Sequence, residues 1–216
     1  MRGVFEWSAG GALAAREEWS LEESGTARTL KAAGRDLVDR EITWNLEARI
    51  APPAEIHALD LQVRPPARPS EVTTTAFRCF GGRAYGTTIP PGGVPEKFES
   101  AFPAGSTFRA FSAAMEGLAA VGGDLKVGHG RRLLVVELDT HDLRPRVADA
   151  IFLARSRQRI TTQAGEAACT AYEFRWADSP GRWVQRLVAT KAGVVVKGER
   201  ADRTSTWVGA LVSFKP

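Results

Sequence analysis

The chain has 216 residues, 44% hydrophobic and 25% charged, which excludes wholesale disorder and suits one domain of ordinary size. At 23.4 kDa it can bury about 70% of its unfolded surface, so a sizeable core is within reach. Twenty-nine basic residues against twenty-five acidic ones leave a net charge of +4. That small excess is spread over a mixed surface, unlike the one-sided basic footprint of a nucleic-acid binder.

The opening, Met1-Arg2-Gly3-Val4-Phe5-Glu6-Trp7, has no apolar leader run. As written the chain is therefore expected in the cytoplasm, and a periplasmic location would require a leader removed upstream. No transmembrane segment is expected, because the longest apolar runs, such as Leu133–Val136, are far too short to cross a bilayer.

Period-two patterning dominates from the first turn, Ser8-Ala9-Gly10-Gly11, onward. Glu17, Trp19 and Leu21 alternate with Arg16, Glu18 and Ser20, and Trp44, Leu46 and Ala48 alternate with Thr43, Asn45 and Glu47. After Ala51-Pro52-Pro53-Ala54, His57, Leu59, Leu61 and Val63 oppose Ala58, Asp60 and Gln62. One dry face and one wet face is the antiparallel style, since parallel strands tend to be apolar on both sides. Ile89–Pro95 reads as a loop within one domain spanning 1–216.

The stretch 111–121 breaks the pattern. Phe111, Met115, Leu118 and Val121 recur at helical spacing, Ser112 can cap the start, and Gly122-Gly123 can stop the end. Strand patterning then resumes. Arg155, Arg157 and Arg159 would share one face of a strand, and Tyr172, Phe174 and Trp176 oppose Glu173 and Arg175. Lys191-Ala192-Gly193 marks another tight turn.

These segments predict about twelve to fourteen strands joined mostly by hairpins, more than an open twisted sheet accommodates without curling. The expected fold is all-β with one short helix: an antiparallel meander curled into a half-barrel or barrel around a helical plug. Such curvature encloses a concavity, and an apolar concavity with a few polar groups is the usual form of a small-molecule site. The expected lining is Trp19, Trp44, Leu46, Leu59, Leu61, Tyr172, Phe174 and Trp176. Glu17 and His57, polar residues in phase with dry faces, are the candidates for an acid or base.

Metal binding is not expected. The histidines, His57, His129 and His141, show no ligand spacing, and Cys79 and Cys169 form no CxxC motif; they read as buried free thiols, and whether they pair in one disulfide stays open at this point. Nucleotide loops of the GxxxxGK[ST] or GxGxxG type and the GxSxG elbow are missing too, so no cofactor is expected.

Several segments carry a resemblance. The first hairpin, Gly3-Val4-Phe5-Glu6-Trp7 with Ala15-Arg16-Glu17-Glu18-Trp19-Ser20-Leu21-Glu22, resembles that of the LolA-like half-barrels and a related uncharacterised bacterial domain family. Glu137-Leu138-Asp139 through Leu143-Arg144-Pro145, Thr162–Glu166 and Gly193–Glu199 are similar as well. The resemblance implies a curved sheet around a helical plug that binds lipid or another hydrophobic molecule. A cofactor-free enzyme of violacein biosynthesis is similar in fold, and no catalytic residue carries over from it. The expected function is binding of a hydrophobic or lipid-like molecule in the concavity, with a cofactor-independent biosynthetic enzyme as the alternative. Whether the chain is catalytic, and its oligomeric state, stay open at this point.

Overall fold

The computed structural model describes residues 1–37, 41–51, 55–65, 67–68, 70–104, 106–109, 112–122, 125–138, 142–162, 165–177, 184–201 and 206–216. The first half holds β1 (Arg2–Ala9), β2 (Ala12–Ser24), β3 (Ala27–Asp36), β4 (Ile42–Ala51), β5 (Glu55–Arg64), β6 (Thr73–Phe80), β7 (Arg83–Ile89) and β8 (Glu96–Ala101). Then come β9 (Thr107–Arg109), α1 (Ala113–Gly122), β10 (Gly130–Leu138), β11 (Pro145–Thr162), β12 (Gly165–Trp176), β13 (Val184–Thr190), β14 (Val195–Ala201) and β15 (Thr206–Lys215).

Among the described residues, fifteen strands form one sheet, in the order β8 to β1, then β15 down to β9. Nearly every strand therefore pairs with its sequence neighbour, as the tight turns dictate, and β1 and β15 join the two arms. The three-residue β9 runs parallel to β10, among the described residues the one departure from antiparallel pairing, and sequence alternation was too short to reveal it.

Curvature has a local cause. Gly3 faces Trp19 across β1 and β2, and Gly34 faces Trp44 across β3 and β4. A Cβ at either glycine would run into the indole opposite. The missing side chain lets each ring lie flat on the neighbouring backbone, and glycine kinks covered by aromatic rings are a known device for bending sheets.

The sheet curls without closing, and β8 and β9 are its two free edges. Aromatic rings line the gap: Phe77 packs on Phe98 and Phe108 at 6.3 and 6.1 Å, and Phe108 stacks on Phe102 at 6.1 Å. An ion pair between Arg144 and Glu96 at 2.6 Å stitches the rim.

Inside the curve lie two apolar clusters. The larger contains Trp19, Trp44, Leu46, Leu59 and Leu61 together with Met115 and Leu118 of α1. The smaller contains Phe152, Tyr172, Phe174 and Trp176 with Ala120 of α1. Leu59 and Leu61 are wholly buried, and each such side chain contributes about 1.5–3 kcal/mol. The expected helical plug is thus present, at 113–122 instead of 111–121; Phe111 and Gly123 lie outside the described residues.

Two phase expectations are corrected by β-bulges. A register shift between Arg49 and Ile50 of β4 pairs Ile50 with Ile56 and leaves His57 as the extra residue of β5. Ile56 takes the inner position and His57 is exposed. A shift between Ala154 and Ser156 likewise breaks the alternation of β11. Arg155 turns toward Glu173, whereas Arg157 and Arg159 face Thr170 and Ala168 on the other phase, so the three guanidiniums form no stripe. One added residue flips every side chain beyond it.

Candidate functional site

The polar groups of the interior gather around the plug. Ser112 caps α1 as its sequence position suggested: its carbonyl accepts the Glu116 N–H at 3.1 Å, and its Oγ accepts the Met115 N–H at 3.2 Å. The remaining first-turn donors are met from a distant strand. Glu17 of β2 accepts the Ser112 hydroxyl at 2.6 Å, the Ala113 N–H at 2.6 Å and the Ala114 N–H at 3.3 Å.

Glu17 is 3% exposed and shares the buried face of β2 with Trp19 and Leu21 instead of reaching solvent near a strand end. Burial pushes its pKa up to about 7, against the pull of its three hydrogen bonds, and the Glu116 carboxylate adds a further push in the same direction. This is a carboxyl poised near neutrality whose acceptor positions are already engaged by the helix.

One turn further along α1, Glu116 pairs with Arg109, and Gln185 of β13 bonds to both. The Arg109 guanidinium lies 4.4 Å above the Phe174 ring and 5.8 Å from that of Trp176. The ion pair is nearly dry, with side chains 10% and 12% exposed. Such pairs hold together because every charge has a partner; removing one partner is costly. Patterning missed Arg109 and Gln185, because each sits in a short or irregular element with no charge run around it.

The eight expected lining residues all face inward and are buried, divided between the two clusters. Beside Trp19, Leu21, Leu30, Ala114, Leu118 and Val194 a void of about 10 Å³ remains, at the limit for one water. The helix and the lining side chains occupy this part of the concavity. Cys169 is buried and Cys79 half-buried, and both are free thiols, as expected. Burial, reinforced by Glu55, pushes the Cys79 thiol up to about 12, so it is an inert hydrophobe. His129 is exposed; His141 lies outside the described residues.

Two features lie on the outer face. Glu173 of β12 is buried beneath Arg155 at 2.6 Å, Arg175 at 2.7 Å and Arg186 at 3.2 Å. Burial alone would raise its pKa, but hydrogen bonds from Arg155 and Arg186 and the charge of Arg175 hold it below the usual carboxylate value. On the other arm, a trough of about 660 Å³ that mixes apolar and polar lining crosses the outside of β2–β6.

Among the described residues, no group of three or more His, Cys, Asp or Glu side chains could hold a metal ion, and no helix is long and apolar enough to cross a membrane. No protein-family model and no curated protein matches the chain. Two solved bacterial structures share its fold. The first is a β-barrel-like protein of domain of unknown function DUF1849 from Brucella abortus, 7% identical, with a TM-score of 0.65 over 98% of this chain and 95% of that one. The second is a DUF1089 family protein from Pseudomonas aeruginosa, 12% identical, with a TM-score of 0.53 over 85% and 88% of the two chains. At these identities the likeness is one of fold alone, an incompletely closed β-barrel-like sheet.

Proposed function

We propose that the protein binds a hydrophobic, lipid-like molecule on the inner face of its curved sheet, with α1 as a removable filler of that space. One observation carries this reading: the interior is filled by a separate ten-residue helix hung at an unclosed seam, while the wall behind it is apolar on strand after strand. Polar contacts tie the helix to the wall at two points, Glu17 and the Arg109–Gln185 pair. Displacing α1 would uncover Trp19, Leu21 and Leu30, which now pack beside Ala114 and Leu118. The resemblance of the first hairpin to LolA-like half-barrels is in keeping with this reading.

The test is native mass spectrometry of protein isolated from its own host, followed by uptake of a fluorescent fatty acid. A stoichiometric lipid adduct and saturable uptake are expected. Ligand-free protein that takes up no fatty acid would overturn the proposal. The enzymatic alternative draws on Glu17, whose pKa near neutrality suits an acid or base. Its three helix contacts argue for a positioning role instead, and Glu17→Gln separates the two by abolishing turnover or leaving ligand uptake intact.

A further inference from the structure

The trough on the outer face of β2–β6 is concave where the outside of a curled sheet is ordinarily convex. Residue register explains its shape. Asn45 and Glu47 of β4 stand directly across from Gln62 and Asp60 of β5, and all four are exposed. Directly opposed side chains have Cβ atoms about 5 Å apart and neighbours along one strand stand about 7 Å apart, so the four groups mark the corners of a small rectangle. Small side chains border it diagonally, Ala33 opposite Asn45 and Ala76 opposite Asp60, and leave room at its flanks. Lys31 of β3 stands across from Glu47.

This array breaks the ordinary rules of strand design. Like charges directly opposite each other destabilise a sheet, and Asn and Asp are depleted in strands. Here both conflicts meet at Asp60, and Glu47 and Asn45 stand beside it in the same trough. Among the described residues, neither Glu47 nor Asp60 forms an ion pair, although Lys31 faces the first of them. Clustered local conflict at a concave site is the signature expected of a binding function.

We propose that the trough binds a neutral carbohydrate. The carboxylates of Glu47 and Asp60 accept hydrogen bonds, Lys31 donates them, and the amides of Asn45 and Gln62 do both. A ring of hydroxyls, each able to donate and accept around a rigid frame, satisfies that set. An anion would be repelled by the opposed carboxylates. A polycation would meet Lys31 and the amide donors. The trough faces away from the concavity, so this inference stands whatever occupies the interior.

The test is saturation-transfer NMR of the full chain with glucose, galactose, mannose, N-acetylglucosamine and their oligosaccharides, beside spermidine as the cationic control. At least one saccharide should bind with a dissociation constant in the millimolar range or tighter, and Asn45→Ala and Asp60→Ala should each weaken it about tenfold. Both positions are exposed, so the variants should fold with melting temperatures near that of the parent. Binding by none of the saccharides, binding unchanged in both variants, or preference for spermidine over every saccharide would overturn the proposal.

Discussion

Glu17 of β2 and Ser112 at the head of α1 are 95 residues apart in sequence, yet the serine hydroxyl donates to the carboxylate at 2.6 Å. That bond and the two amide bonds beside it make a strand residue the cap of a helix. Glu17→Ala strips partners from buried donors at Ser112, Ala113 and Ala114, a loss of about 3 kcal/mol. For a chain of this size the melting temperature should fall by roughly 6–12 °C in calorimetry. An unchanged melting temperature would remove Glu17 from the account of how α1 is held.

The same carboxyl imposes a pH dependence with a definite sign. Its folded pKa, about 7, lies above the ordinary 4.5, so between those values the folded chain holds a proton the unfolded chain has released. Stability should decline as pH rises through that window and level off above it, by on the order of 3 kcal/mol. Glu173 acts at lower pH and in the opposite direction: its folded pKa is depressed, so its contribution is lost as pH falls below the ordinary range. Urea midpoints at pH 5 and pH 8 for the parent and Glu17→Gln isolate the Glu17 effect, because the variant should lack it.

Gly117 separates helix propensity from packing. Alanine is the better helix former by about 1 kcal/mol. Here a Cβ would overlap the carbonyl oxygen of Gly193 in the β13–β14 turn, and backbone has little room to yield. Gly117→Ala should therefore destabilise the protein by about 1–3 kcal/mol in chemical denaturation. A more stable variant would mean that α1 does not seat against that turn.

The Arg109–Glu116 pair should behave as a buried pair. Arg109→Met leaves Glu116 and Gln185 without their shared cation and should cost about 3–5 kcal/mol. Arg109→Lys keeps the charge, loses the fork and the stack on Phe174, and should cost less. A double-mutant cycle with Glu116→Gln should return a coupling above about 1 kcal/mol, whereas additive effects would contradict the pairing.

Much of this architecture is legible in side-chain period. The alternation through Trp44, Leu46 and Ala48 and through Tyr172, Phe174 and Trp176 reports faces that the fold indeed buries. Ser112 announced the helix start. What period cannot report is an inserted residue: the bulge at His57 moved it outward, and the bulge at Arg155 split the arginine series. Nor does a local pattern reveal that Glu17 will meet Ser112, since that contact exists only once the sheet has curled around the helix. The outer trough escaped for the opposite reason: Asn45, Glu47, Asp60 and Gln62 each look like an ordinary wet position, and only their register gathers them.

Amide hydrogen exchange of α1, measured while a fluorescent fatty acid is titrated into the protein, tests the central claim most directly. Displacement of the plug predicts saturable binding together with faster exchange at the amides of 113–121. Absence of binding, or binding that leaves those amides as protected as before, would contradict it.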